Sequence, residues 1–362
     1  MSTHDFGFDF GNSVAKGAIF NPALQPQYCA IPSVTAEGTL AALNDIRQAS
    51  GVQGDYRLRD DDYILVHGDA ELYVGRLALA YSNDPHETRG DINRYWSVQA
   101  LQFLLTLSGS LIFDRDYALN VVTGLPAQTY DAINRRRVRD ALEGEHAFWL
   151  NGVPRRANVT VSKVVQEGAG GIILYGTQEP VKQAVIDIGG RTTDIFTARG
   201  QEPVKDQCKG YPKGVEDATD LLNELAQAGY GRVLTIAERR AILQAYALSQ
   251  PYPDIPVSGH SMPRGEMEAW AEQALRKTGG LIRTFVSKTL RSSERGSVAA
   301  DLKSVWLIGG GAHYFLRDMR EIIPFAQVRD HPEYANALSY AYFAKHFSER
   351  SQARIGAPYG TR

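Results

Sequence analysis

Over residues 185–196 the chain reads VIDIGGRTTDIF: an apolar run, a carboxylate, a pair of glycines, three polar side chains, a second carboxylate and a return to apolar residues. This pattern predicts a β-hairpin whose buried strands are joined by a turn with almost no side chain. The same pattern stands near the N-terminus. When FGFDFGNSVAKGAIF (6–20) is set beside AVIDIGGRTTDIFTA (184–198), Asp9 falls on Asp187, Gly11 on Gly189 and Lys16 on Asp194. The copies start 178 residues apart, close to half the chain. That spacing suggests two related halves, each opening its sheet with one hairpin. A lone D-x-G marks only a tight turn, but two copies between apolar runs point further. A third segment, SVWLIGGGAHYFLRDM (304–319), reads as a buried strand, a triple glycine and a helix. RDDD (59–62) reads as a turn before the strand YILVHG, and a Pro/Gly-rich connection (249–266) precedes a long helix from about residue 266 to 290.

These elements suggest a chemistry. A glycine turn lets backbone N–H groups approach phosphate oxygens, because no Cβ intervenes. A carboxylate at the strand end holds Mg²⁺, usually through waters, and Mg²⁺ neutralises phosphates. On this reading Asp9 and Asp187 are the metal-side carboxylates, and Lys16 supplies a point charge to the β-phosphate side. The two hairpins would then face each other across a nucleotide's phosphate tail. Gly309, Gly310 and Gly311 would let the backbone lie flat against an adenine or ribose. Their spacing is not that of the G-x-G-x-x-G dinucleotide fingerprint.

Composition narrows the class. The 362 residues exceed one ordinary core, so two domains are expected. A formal net charge of −2 gives no electrostatic reason for direct binding to DNA or to an anionic membrane. The most apolar window, ALQFLLTLSGSLIF (100–113), is too short and too polar to span a bilayer. Cys29 and Cys208 lie far apart with no metal-ligand spacing, the eight histidines are scattered, and the N-terminus lacks a basic-then-apolar signal. A soluble cytoplasmic protein with reduced thiols is expected. The arginines of NRRRVRD (134–140) would fall on several sides of a helix, a solvated face rather than a nucleic-acid patch. His313 reads as a first-turn helix residue, and the tail SERSQARIGAPYGTR (348–362) as disordered.

Taken together, these motifs resemble the actin, sugar-kinase and heat-shock-chaperone ATPase superfamily. Asp9-x-Gly11 through Lys16 is similar to its first phosphate motif, DIGGRTTD (187–194) to its second and IGGGA (308–312) to its adenosine motif. VVQEGAGGIILYG (164–176) and EYANALSYAYFAKHF (333–347) resemble its two connecting helices, with Ala335, Ala337 and Ser339 where the helices cross closely. Within the superfamily the chain most resembles the ParM/StbA-type bacterial and archaeal actins. That likeness is carried by NVVTGLPAQTYDAINRRRVRDAL (120–142) and VHGDAELYVGRLAL (66–79), while TIAERRAILQAYAL (235–248) is similar to the actin helix that closes over adenine.

The resemblance implies an α/β, actin-like (ribonuclease H-like) duplicated fold with two lobes, each holding a mixed five-stranded sheet and a smaller inserted subdomain. The first lobe would take residues 1–163 and 330–362 with 34–78 inserted, and the second 164–329 with 221–281 inserted. The implied cofactors are ATP and Mg²⁺, with GTP left open. Amides near Asn12, Ser13, Gly190 and Arg191 would bind phosphates, within a set that also includes Gly11, Gly189, Thr192, Asp194 and Ala312. Water positioning is assigned to Glu167, with Gln166 the alternative one position earlier. Asp194 either accepts a bond from metal-bound water or fixes its own turn. Arg191 is either a solvated turn residue or a γ-phosphate sensor. The implied function is a self-polymerising ATPase for plasmid DNA segregation, reaching DNA through an adaptor protein. A small-molecule kinase or a nucleotide switch of the same fold are the rivals.

Overall fold

The first strand, β1 (Ser2–Phe10), runs from an exposed start into a fully buried end. Phe6, Phe8 and Phe10 are buried in the main core of the first half, and Asp5, Gly7 and Asp9 take the opposite face, as the two-residue period of a strand requires. The computed structural model describes residues 1–355 other than 83, 89, 90, 258 and 292–297. By compactness the chain divides into two units, residues 1–125, 129–166 and 336–362 in one, and residues 126–128 and 167–335 in the other.

In the first unit β2 (Val14–Phe20) and β3 (Pro26–Pro32) continue the meander from β1. Next come β4 (Val34–Glu37), α1 (Leu40–Ala49), β5 (Tyr63–His67), β6 (Ala70–Val74), α2 (Arg76–Tyr81) and β7 (His86–Glu87). Then follow α3 (Val98–Leu111), β8 (Asp116–Leu125), α4 (Ala132–Leu142), β9 (Gly144–Leu150) and β10 (Val153–Gln166). The most apolar window thus folds as α3, whose Phe103, Leu104 and Leu107 are buried with the β1 phenylalanines. Among the described residues no helix is long and apolar enough to cross a membrane.

The expected five-stranded sheet is exceeded here. The order is β3-β2-β1-β8-β10-β9-β5-β6-β4-β7, ten strands among the described residues. The inserted segment does not form a sheet of its own, because β5 pairs with β9 through Leu65↔Leu150, Val66↔Trp149 and His67↔Phe148. The turn read at RDDD is organised around Asp62, which is fully buried and accepts the Tyr56 hydroxyl and the Arg59 amide.

The second unit opens with α5 (Ala169–Tyr175), β11 (Lys182–Ile188), β12 (Thr193–Arg199), β13 (Glu202–Pro203) and β14 (Lys209–Tyr211). It continues through α6 (Val215–Tyr230), α7 (Ile236–Leu248), the short pair β15 (Pro256–Val257) and β16 (His260–Ser261), and α8 (Arg264–Thr289). It closes with β17 (Ser304–Ile308), α9 (Ala312–Ile322) and β18 (Gln327–Val328). Among the described residues its sheet has six strands, not five: β13-β12-β11-β17-β18, with β14 also paired to β12. The extra strand arises because β13 and β14 take successive stretches of one edge of β12. In both units an antiparallel hairpin is followed by a parallel neighbour, β8 beside β1 and β17 beside β11.

The last helix, α10 (Ala335–Ile355), carries helical structure into the tail expected to be disordered, through residue 355, while residues 356–362 lie outside the described set. Its small residues do more than let helices cross. Ala335 is buried with Ile172 of α5, but Ala337 lies on the sheet. A Cβ added to Gly7 would stand 1.9 Å from the Ala337 carbonyl oxygen and 2.5 Å from the Ala341 nitrogen. On the adjacent strand, Gly124 leaves room for the buried Tyr340 ring. Gly7→Ala must therefore lift α10 off β1. We expect a loss of about 1–3 kcal/mol or more, read as a lower Tm and a lower denaturation midpoint. An unchanged melting curve would contradict this packing.

Candidate functional site

Both hairpins place a carboxylate beside a glycine turn. In the first unit Asp9 and Lys16 are cross-strand partners, and the Lys16 ammonium donates to Asp9 Oδ2 at 3.0 Å. Both side chains are largely buried, at 14% and 7% exposure for Lys16 and Asp9, so the pair is a firm contact rather than a surface one. Lys16, expected to face phosphate, is thus tied to the carboxylate expected to face metal. The turn itself is held by Ser33, whose hydroxyl donates to the Gly11 carbonyl at 2.8 Å and whose amide donates to the Ser13 carbonyl at 3.0 Å. Because a trans peptide points its C=O and N–H in opposite directions, the Asn12 amide is turned away from Ser33.

The second turn is held more tightly. The Gly189 amide donates to the Thr192 carbonyl, and the amides of Val215 and Glu216, in the first turn of α6, donate to the carbonyls of Gly189 and Gly190 at 3.1 and 2.8 Å. By the same peptide geometry the amides of Gly190 and Arg191 point away from α6. Only glycine fits at the N-cap of this helix, since a Cβ on Gly214 would lie 2.4–2.6 Å from those carbonyl groups. Asp187 and Asp194 are cross-strand partners at 7% and 1% exposure. Asp194 Oδ1 accepts the Ala127 amide at 2.9 Å, which ties the turn after β8 into the second unit.

Arg191 is not a solvated turn residue. Its guanidinium pairs with Glu216 at 2.8 Å and Asp220 at 2.9 Å. Arg240 and Arg239 of α7 reach the same two carboxylates at 3.5 and 3.6 Å. Burial works against the charge of Arg191, but Glu216 and Asp220 outweigh it and raise its pKa. Glu216, Asp220 and Ser33 escaped the sequence reading. The acidic run after Gly214 was a signal available for the first two, as helix starts favour carboxylates.

The triple glycine packs directly on this hairpin. Gly309 has φ +83°, and a Cβ there would stand 2.4 Å from Asp187 Oδ1. The Gly311 amide donates to the Ile188 carbonyl at 2.8 Å, and Ala312 is fully buried at the start of α9. Gly310 faces open space. His313 sits exposed in the first helical turn, as expected.

The first connecting helix is shorter than its sequence suggests. Val164, Val165 and Gln166 belong to β10, paired with Thr123, Gly124 and Leu125 of β8, and α5 starts only at Ala169. Gln166 therefore ends a strand, and Glu167, at 8% exposure, occupies the turn before Gly168 with its φ of +83°. Neither candidate lies within a helix. Gln166 Nε2 is buried without an acceptor, a donor left for a group outside the chain.

Helices α7, α8 and α9 line a half-open pocket of about 520 Å³, a volume within the usual range for small-molecule sites. Tyr246, Arg276, Tyr314 and Asp318 are among the residues lining it. No group of three or more His, Cys, Asp or Glu side chains among the described residues could hold a metal ion. Asp9 and Asp187 each place one largely buried carboxylate beside a glycine turn, a kind of ligand that a hydrated Mg²⁺, which keeps most of its waters, can use.

The fold is that of solved actin-like proteins. Residues 7–170 match the family model described as the N-terminal domain of actin-like proteins. The archaeal actin homologue of Thermoplasma volcanium is 27% identical over 237 residues, covering 61% of this chain and 67% of that protein. The homologue of Thermoplasma acidophilum is 26% identical over the same length and shares. Among solved structures, an archaeal actin homologue superposes with a TM-score of 0.73 at 21% identity, covering 96% of this chain and 100% of that one. A ParM from a 15-stranded Clostridium botulinum filament gives 0.71 at 19% identity with the same coverage. The chain thus shares the fold of the archaeal actin homologues and of ParM, and over 237 residues it is similar in sequence to the archaeal homologues.

The glycines provide a direct check of the site's construction. Gly309→Ala should displace the Asp187 carboxylate and lower stability by about 1–3 kcal/mol, whereas Gly310→Ala should stay within about 0.5 kcal/mol of the parent. Thermal melts of the two variants measure this, and equal effects would refute the packing described.

Proposed function

We propose that this protein is an actin-like ATPase that binds a magnesium nucleoside triphosphate, polymerises head to tail and hydrolyses the nucleotide to weaken its own filament contacts. The observation that carries the reading is the recurrence of an acidic glycine hairpin in both units, with the Gly309 backbone packed against the second carboxylate. A solved archaeal actin homologue is in complex with ADP and a Bacillus thuringiensis ParM with ATP, which supports the same ligand class here.

The roles follow from the chemistry of each group. Amides of Asn12, Gly190 and Arg191, turned away from the elements that hold their carbonyls, bind phosphate oxygens. Asp9 and Asp187 are the carboxylates that would hold waters of a bound magnesium, which would neutralise phosphate charge. The carboxylate of Glu167 orients the attacking water, and the unpaired amide of Gln166 donates to that water or to the phosphate beside it. Arg191 stays with Glu216 and Asp220, keeping the second turn in register with α6. The base occupies the cavity among α7, α8 and α9, whose last wall begins immediately after the glycine turn. Identical subunits joined head to tail form an open filament where the rotation does not close. By the resemblance already drawn, the cytoplasmic cargo is plasmid DNA. It is reached through an adaptor protein, in keeping with the low net charge.

Light scattering should rise on adding Mg-ATP above a critical protein concentration, with phosphate release following in the absence of any sugar. Flat scattering, with phosphate transfer that depends on an added sugar, would instead establish a kinase. Asp187→Asn should weaken magnesium-dependent nucleotide binding by roughly tenfold or more, measured by titration with and without the metal. Glu167→Ala should slow hydrolysis by roughly a hundredfold while sparing binding. The same result from Gln166→Ala alone would move the water-positioning role one residue earlier.

A further inference from the structure

Among the described residues the inserted strands join the main sheet along one seam, between β9 and β5. It is short, with three residue pairs: Leu65↔Leu150, Val66↔Trp149 and His67↔Phe148. Asn151 fixes one end, its side-chain oxygen accepting the Ile64 amide at 2.8 Å and its side-chain amide donating to the Asp62 carbonyl at 2.8 Å. Two imidazoles close the other end. His146 stands two residues before Phe148 on β9, so it is the diagonal neighbour of His67 on the same face. The two ring centroids are 6.0 Å apart with planes crossing at 65°, and both residues are half-buried. His146 Nε2 lies 3.1 Å from the Leu142 carbonyl at the end of α4, so this nitrogen carries the hydrogen and donates.

Neither imidazole forms an ion pair among the described residues. Helix α3 packs on this face through Gly109, against Phe148 and Leu150, and has no titratable side chain. On β6, Ala70 lies opposite His67, while Glu71 lies opposite Val66 on the other face, and Asp69 is exposed in the turn between. On β10, Ala157 lies opposite His146, and Arg155 beyond it donates to the Ile112 and Asp114 carbonyls. Glu145 is drawn to Arg156, and Glu143 accepts the Val161 amide. At the end of α4, Asp140 pairs with Arg136 and Arg139 is exposed. A proton added to this pair therefore meets burial and a second imidazole but no counter-charge. Burial first, then His146, holds His67 below its ordinary value of 6.5. The folded seam thus favours the neutral ring: its stability is complete above about pH 6.5 and is lost as pH falls toward the lowered value.

We propose that the His67–His146 pair is an acid-sensitive latch: protonation opens the β5–β9 seam and releases the inserted strands from the main sheet, while the core around β1 and β8 stays folded. Opening starts at His67, because Asn151 holds the far end. The latch works with or without a bound nucleotide.

The test is hydrogen exchange of the full chain, corrected for the intrinsic effect of pH and read on peptides covering β5 and β9. Between about pH 7.5 and about pH 5.5 exchange there should rise by roughly tenfold or more, with β1 and β8 unchanged. His67→Gln, which stays neutral throughout, should keep the seam equally protected at both ends of that range. In the parent, the His67 imidazole followed by NMR should titrate below the free-histidine value, with the same midpoint as seam opening. The proposal is overturned if the parent seam stays closed in acid, or if β1 and β8 lose protection together with it. It is also overturned if His67→Gln opens as the parent does, or if the two midpoints separate. The parent measurements decide the matter even if the variant fails to fold.

Discussion

The second glycine turn owes its shape to two hydrogen bonds from a helix end. The Val215 and Glu216 amides are unpaired donors by position, since the first amides of a helix have no partner within it. The carbonyls of Gly189 and Gly190 satisfy them. One contact therefore does two things: it caps α6 without a polar N-cap side chain, and it fixes which way the turn's peptide planes face. Gly214 is the cost in sequence, because any side chain there would collide with the carbonyls it brings together. Arg191 extends the same junction outward, spanning from the turn to Glu216 and Asp220. With Arg239 and Arg240 on those carboxylates as well, the turn, α6 and α7 share one ionic network.

The two hairpins are alike in register but differ in electrostatics. In the first, Asp9 faces Lys16, and the pair is internally compensated. In the second, Asp187 faces Asp194, and carboxylates placed directly opposite on paired strands repel. Both are nearly excluded from water, where repulsion is screened least. The Ala127 amide relieves Asp194 in part. The position that separates the hairpins, Lys16 against Asp194, was visible in the aligned sequences, but its consequence depends on register that only the fold supplies.

What could be read from the chain was local. Hairpins, the glycine triplet and helix α9 follow from runs of a few residues whose apolar spacing and turn chemistry agree. Long-range pairings were not legible. Val66 meets Trp149 across more than eighty residues of sequence, and nothing in either segment announces that the inserted strands will extend the main sheet. The same limit misplaced the start of α5. Val164–Gln166 are compatible with either state, and pairing with Thr123–Leu125 of β8 decides for strand. Arg191 was legible as a turn residue but not as an ion-pair partner, since its acids lie on a helix beyond β14.

The glycine triplet matters most through its position rather than its flexibility. Gly309 presses on Asp187 on one side, and three residues later the chain enters α9. A helix advances about 1.5 Å per residue, so Asp318 stands about 9 Å along the axis from Ala312. That stretch of helix is buried against the second core through Ala312, Phe315 and Met319. The carboxylate assigned to the metal and the carboxylate that lines the cavity are thus joined by a short, stiff path, with no flexible loop between the Gly311–Ile188 hydrogen bond and the helix.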